Sequence, residues 1–442
     1  MFSKLGNFII QQNEVATLFD FNLGLEVEMH RIDQNGSFSC APYPKQLGNA
    51  QFNQWITTDF LETMSEIVTP PTTDPSKALQ YLTSINGLLR ASLAANELLW
   101  PLSMPPALPT DPGKLKISKR GPQMDAYFQT WIAKHRFSQG TPCGVHINLS
   151  LNNALIDLIK THVPNEMLIK NYAYETLAQG FVRYQWLLTY LFGASPLAEK
   201  NYFAPAQKPT HPFRSIRQSA LGFGTKFSGD YTSVSAYVDR LTAGIATGKL
   251  IEDHDFHGPI RFKGTKTLAE LKQTGAQYLE LRMLDLDPTS QQGLALDTLR
   301  FITLLAGYFL LTPPLKKAEL KTTLAQAELF NQNVASEDPR QKCQYQKEAL
   351  TLFDMLQKFI TELGLPKRYG ALVEHLKKRV LTPQLTPSAQ LLQHVQNDSL
   401  QSYALKLAQA YQKQTTATAN FEMFDTKTYS AAELSAALDT LI

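Results

Sequence analysis

Residues 22–33 read NLGLEVEMHRID, and the hydrophobic positions alternate: Leu25, Val27 and Met29 against Glu26, Glu28 and His30. A period of two is the signature of a half-buried strand, so Glu26 and Glu28 project side by side from one face. Asp33-Gln34-Asn35-Gly36 follows and predicts a hairpin turn through Asn-Gly. Two later stretches repeat the alternation. In GVHINLSLN (144–152), Val145, Ile147 and Leu149 oppose His146, Asn148 and Ser150. In QYLELRMLDLDP (277–288), Leu279, Leu281 and Met283 oppose Glu280 and Arg282.

Other stretches carry helical spacing. WITTDFLETMSEIVTPP (55–71) predicts a helix capped near Thr57-Thr58 and stopped by Pro70-Pro71, with Asp59, Glu62 and Glu66 on one stripe. Residues 76–102 and 175–196 predict two more helices, the second largely buried. Between them, the proline-rich 101–122 reads as a loop that connects rather than packs, and 200–264 as irregular functional loops. An apolar helix ends at Pro313-Pro314, and amphipathic helices dominate from about Leu315 onward. Helices and alternating strands without regular βαβ units predict an α+β fold on an antiparallel sheet. The expected division is a catalytic core over 1–314 and a helical portion over 315–442 packed on it.

Composition narrows the function classes. A formal net charge of +3 with 18% charged residues argues against nucleic acid or an anionic membrane as main partner. Three widely spaced cysteines offer neither a disulfide framework nor a CxxC site and suit a reducing, cytoplasmic interior. The strongest apolar run, 301–314, is short of the ~20 residues a membrane helix needs.

The chemistry lies in the polar positions. Singly, an acidic strand face or helix stripe is usually a solvated surface, and a lone strand histidine is usually a satisfied half-core residue. Together, Glu26, Glu28, Asp59, Glu62, Glu66, His146 and Glu280 with Arg282 form a set suited to hard divalent cations and the phosphates they carry. So many acids suggest more than one ion. No Walker A, GxGxxG, HExxH or GxSxG pattern occurs.

The stretches GLEVEMHRID, WITTDFLETMSEIVTP, LLWPLSMPP, CGVHINLSL, FVRYQWLLTYLFGASP, SIRQSALGFGTK, PIRFKGTK and YLELRMLDLDP occur in one order over roughly 20–290. In this the chain resembles bacterial glutamate–cysteine ligases and the homologous N-terminal module of bifunctional glutathione synthetases. The resemblance implies a glutamine synthetase-like antiparallel sheet curved around the site. It also implies ATP, Mg²⁺ or Mn²⁺, L-glutamate and L-cysteine, joined through a γ-glutamyl phosphate. Glu26, His146 and Glu280 look like ligands of one metal, and Glu28, Asp59 and Glu66 like ligands of the others. Glu28 and Arg282, the latter resembling a phosphate-side arginine, are the expected catalytic residues. Arg217 resembles the arginine that holds a substrate carboxylate, and Phe60 the aromatic bordering the acceptor thiol pocket. Asn148, Arg261 and Lys263 are expected substrate contacts.

Phe223 stands where the family has tyrosine, which opens a second possibility, a γ-glutamyl ligase for another amine. A non-catalytic nucleotide or amino-acid sensor is a third. Residues 125–144 match the family poorly, leaving Arg136 as the acceptor arginine candidate. With no ATP-grasp module after residue 442, the chain is not expected to complete glutathione by itself.

Overall fold

A computed structural model describes residues 1–222 and 227–417, with the short segments Phe421–Glu422 and Thr428–Tyr429 and residue 436. Seven strands form the main sheet: β1 (Asn22–Asp33), β2 (Ile56–Thr58), β3 (Met64–Val68), β4 (Glu97–Leu99), β5 (Val145–Ser150), β6 (Ile260–Lys263) and β7 (Tyr278–Leu284). Their order is β2-β3-β1-β5-β7-β6, with β4 beside the far end of β1, and every pairing is antiparallel. The fold is α+β.

The alternation places one face of this sheet in the core. Leu25, Val27, Val145, Ile147, Leu149, Leu279 and Leu281 are fully buried. The helices Pro75–Ser92, Glu166–Arg183 and Gln185–Phe192 pack against the strands. At roughly 25 cal/mol per Å² of apolar surface, burying these branched side chains is the main force fixing register. Lys317–Ser336 packs on Gln185–Phe192, Lys367–Leu381 on Leu296–Leu311, and Gln401–Ala417 on Pro75–Ser92. Arg214, buried, fastens this region by donating to Glu337 and to the carbonyls of Pro339 and Gln341.

Four sequence expectations are corrected. Residues 55–71 form the β2–β3 hairpin, not a helix. Apolar Ile56, Phe60, Met64 and Ile67 imitate helical spacing because two short strands flank a five-residue turn. β-branched Ile56, Thr57, Thr58, Ile67 and Val68 favour the strand, and Ile56 pairs with Ile67 in the core. The helix expected over 76–102 stops at Ser92, and Glu97–Leu99 pairs with β1 through Arg31, Ile32 and Asp33. There the buried Glu97 takes a 2.6 Å ion pair from Arg31. The start of the proline-rich segment packs: Leu102, Ser103, Met104 and Leu108 are buried. Residues 200–264 are not irregular throughout, since Val234–Ala246 is a helix capped by Ser233.

Candidate active site

The register gathers the polar positions into one row. β1 and β3 set Glu28 opposite Glu66, β1 and β5 set Glu26 opposite His146, and β5 and β7 set Asn148 opposite Glu280. Arg261 on β6 lies opposite Glu280 from the other side. Between β5 and β7 the register slips: Val145 pairs with Leu284 but Ile147 with Leu281. This bulge falls at His146 and turns Arg282 toward it, to 3.4 Å from Nδ1. The hairpin turn supplies Asp59.

Distances within the row are short. His146 Nδ1 lies 3.3 Å from Glu26 and 3.7 Å from Glu280, and its Nε2 lies 4.0 Å from Glu28. Asn148 donates to Glu26 at 2.7 Å, and the Gly144 amide donates to Glu28 at 2.7 Å. Arg282 bonds Glu280, with Lys263 at 3.8 Å and Arg261 at 4.0 Å from the same carboxylate.

Charge is unevenly balanced here. Burial pushes the Glu280 carboxyl up, but Arg282, Arg261, His146 and Lys263 outweigh it and hold the group well below the ordinary range. Burial likewise opposes ionisation of Glu26, and the His146 hydrogen bond helps turn the balance downward. On the β1–β3 side the sign reverses. Burial, then the negative charges of Asp59 and Glu26, raise Glu66 well above its usual value, and burial with Asp59 raises Glu28. That side carries more negative charge than the protein compensates.

The donor set fits divalent cations. Glu26, His146 and Glu280 present ligand atoms within 4.8 Å of one another. His146 Nε2 and Glu280 Oε2 are buried with no hydrogen-bond partner. The carboxylates are the oxygen ligands that Mg²⁺ and Mn²⁺ prefer, and the imidazole adds one nitrogen donor.

A family model for glutamate-cysteine ligase matches residues 7–252 and 229–334. The chain belongs to the glutamate–cysteine ligase family. It is 34% identical over 436 residues to the glutathione biosynthesis bifunctional protein GshAB of Lactiplantibacillus plantarum, covering 98% of this chain and 56% of that protein. The Enterococcus faecalis counterpart is 32% identical over 383 residues, covering 85% and 50%. The chain therefore spans about half the length of the curated relatives it matches. The crystal structure of a bifunctional glutathione synthetase from Pasteurella multocida superposes with a TM-score of 0.83 at 25% identity, over 95% of this chain and 54% of that one. A glutamate–cysteine ligase from Francisella tularensis, solved in complex with AMP, shares the fold at 22% identity and a TM-score of 0.80, over 96% and 94%.

In this glutamate–cysteine ligase family member the acids line a cavity of about 210 Å³. Glu26, Glu28, Asp59, Glu66, His146, Glu280, Arg282, Arg261, Lys263 and Phe60 all reach it. Phe60 belongs to an aromatic wall, with ring contacts to Phe128, Trp131 and Phe137 at 5.2–5.6 Å. Other expected residues lie elsewhere. Glu62 sits in the hairpin turn, 3.9 Å from Lys116 and off the cavity. Arg217 lines an adjoining cavity of about 650 Å³, which meets the first at His257 and Arg282. Its Nη1 donates to the Arg282 and Leu284 carbonyls and lies 3.8 Å from buried Asp285. Arg136 donates to Gln207 and does not line the acid cavity. Phe223 lies outside the described residues. His30, on the same strand side as the glutamates, is sealed off: burial pushes its pKa down to about 4, and Nε2 meets the Thr141 carbonyl at 2.7 Å.

Sequence reasoning missed Arg120 and the wall helix Pro122–Lys134, which contributes Met124, Tyr127, Phe128 and Trp131 to the cavity. The helix had a start signal in Gly121-Pro122, with proline at its first turn. Its cavity-facing role had none.

Proposed function

We propose that the chain is an ATP-dependent ligase joining the γ-carboxylate of L-glutamate to the amine of L-cysteine, the first step of glutathione biosynthesis. One observation carries this reading. Six acid and imidazole side chains and four cations from distant segments meet in one cavity, in a chain of the glutamate–cysteine ligase family.

The γ-carboxylate is a poor acyl donor. One of its oxygens bonds the γ-phosphorus of ATP while the bond to the leaving ADP oxygen breaks. The cysteine nitrogen then bonds the acyl carbon, phosphate departs with the C–O bond electrons, and the amine gives up a proton. Both steps ask for positioning and charge neutralisation rather than a protein nucleophile. Mg²⁺ or Mn²⁺ held by Glu26, His146 and Glu280, and by Glu28, Asp59 and Glu66, would supply neutralisation of phosphate charge. Arg282, Arg261 and Lys263 aim positive charge from β6 and β7 at the same place. Arg217, with Nε buried and without a hydrogen-bond partner, suits the glutamate α-carboxylate in the adjoining cavity.

A second reading keeps the chemistry and changes the acceptor. The Phe60, Phe128 and Trp131 wall is apolar and accommodates a thiol or a methyl group alike. A coupled ADP-release assay over cysteine, 2-aminobutyrate, alanine and simple amines, with mass analysis of the product, decides between them. ADP release that ignores glutamate would remove both readings. A clear preference for a non-thiol amine would remove the first.

A further inference from the structure

Among the described residues, four lysine or arginine side chains line the acid cavity, and three are already engaged on one wall. Arg282 bonds Glu280, Lys263 faces the same carboxylate, and Arg261 donates to the carbonyls of His254 and Phe256. All three belong to β6 and β7.

Arg120 stands apart, on the Phe60 wall. Its loop is well anchored: Ser118 donates from its backbone to Phe60 and shares a 2.5 Å hydrogen bond with Thr58, and the Arg120 amide donates to Asp125 at 2.9 Å. The guanidinium is held only by two long ion pairs. It lies 3.5 Å from Asp59 and 4.0 Å from Glu66, too far for good hydrogen bonds, and its side chain is one-third exposed at 33%. Both carboxylates are residues that the proposed function assigns to metal. A divalent cation there takes away the two counter-charges of Arg120 and repels it. The planar five-donor fork then faces the cavity in need of an anion.

Resting on the ligase reading above, we propose that this anion is the α-carboxylate of the amine acceptor, so that Arg120 sets the preference for an amino acid over a simple amine. The surroundings fix the ligand class. Beside Arg120 the wall is Met124, Phe128, Trp131 and Phe60, which suits a small apolar or thiol side chain. The nucleotide phosphates have their own cations on β6 and β7. An acceptor held at its carboxylate by Arg120 and at its side chain by the rings presents its amine toward the acids. Arg136, the arginine expected from sequence, turns away to Gln207.

The test compares cysteine with cysteamine, which lacks only the carboxylate, in the Mg²⁺–ATP–glutamate assay. For Arg120→Met, the ratio of kcat/KM for cysteine to that for cysteamine should fall about 10- to 100-fold, the usual worth of a charge-assisted bidentate contact. Arg120→Lys, which keeps the charge and loses the fork, should fall by less and guards against misfolding of the methionine variant. An equal loss on both acceptors overturns the assignment of Arg120 alone, as does a rise in KM for ATP matching that for cysteine. A wild-type protein that joins glutamate to no amine overturns the ligase reading and this inference together.

Discussion

Glu28 and Glu280 sit in the same row under opposite electrostatics, and substitution should separate their roles. Glu280 is already matched by Arg282, Arg261 and Lys263, so Glu280→Gln leaves three cations overbalanced. Glu28 accepts from Gly144 and lies among other acids, so Glu28→Gln relieves repulsion. Either change should lower kcat/KM at least ~10²-fold, as removal of a preorganised charge does. Thermal melts should then show Glu280→Gln as the less stable of the two; full activity in either variant would displace the acids from the chemistry. Gly144 makes a second residue-scale case. A Cβ there would fall 1.9 Å from Arg217 Nη2, so Gly144→Ala must displace the guanidinium. The expected outcome is a raised KM for glutamate with a smaller change in KM for cysteine.

The β2–β3 hairpin is the element on which the site turns. It brings Asp59 and Glu66 to β1, and Thr57 and Thr58 pair across it with Glu66 and Ser65. Proline at Ile67, on β3 between β2 and β1, would remove a ladder hydrogen bond from an interior strand and cost about 1–3 kcal/mol. Ile67→Pro should therefore abolish turnover and lower Tm; a variant that kept its activity would show the hairpin to be dispensable. This element was also the least legible in the sequence. Its acids and apolar residues fit helical spacing, and only β-branching at Ile56, Thr57, Thr58, Ile67 and Val68 argued otherwise. The β5–β7 bulge left no trace in the alternation, because YLELRML reads as regular while the slip occurs in its pairing with β5.

At the scale of the whole molecule, the acid cluster weighs against stability, since burial and neighbouring acids raise Glu66 and Glu28. Like charges meeting under burial destabilise the folded state until a cation joins them. Added MgCl₂ should raise Tm by a few degrees, through preferential binding to the folded form. Glu66→Gln should melt higher than the wild type in metal-free buffer and gain less from Mg²⁺. A variant that melts lower, or gains as much, would place the ion elsewhere. No helix among the described residues is long and apolar enough to cross a membrane.

By itself the sequence determined the three long strands, the face each one buries, and the identity of most of the acids. Side-chain alternation is a local property, and hydrophobic burial reads it directly. Tertiary structure alone decided that Asp59 and Glu66 arrive on a hairpin while Glu62 is excluded. It also decided that Arg217 opens onto a neighbouring cavity, and that Arg120 and an aromatic helix complete the site. Those outcomes depend on which strands pair, in which register, and on what a loop packs against. Contacts between residues far apart in the chain set them, and no spacing along the chain encodes such contacts.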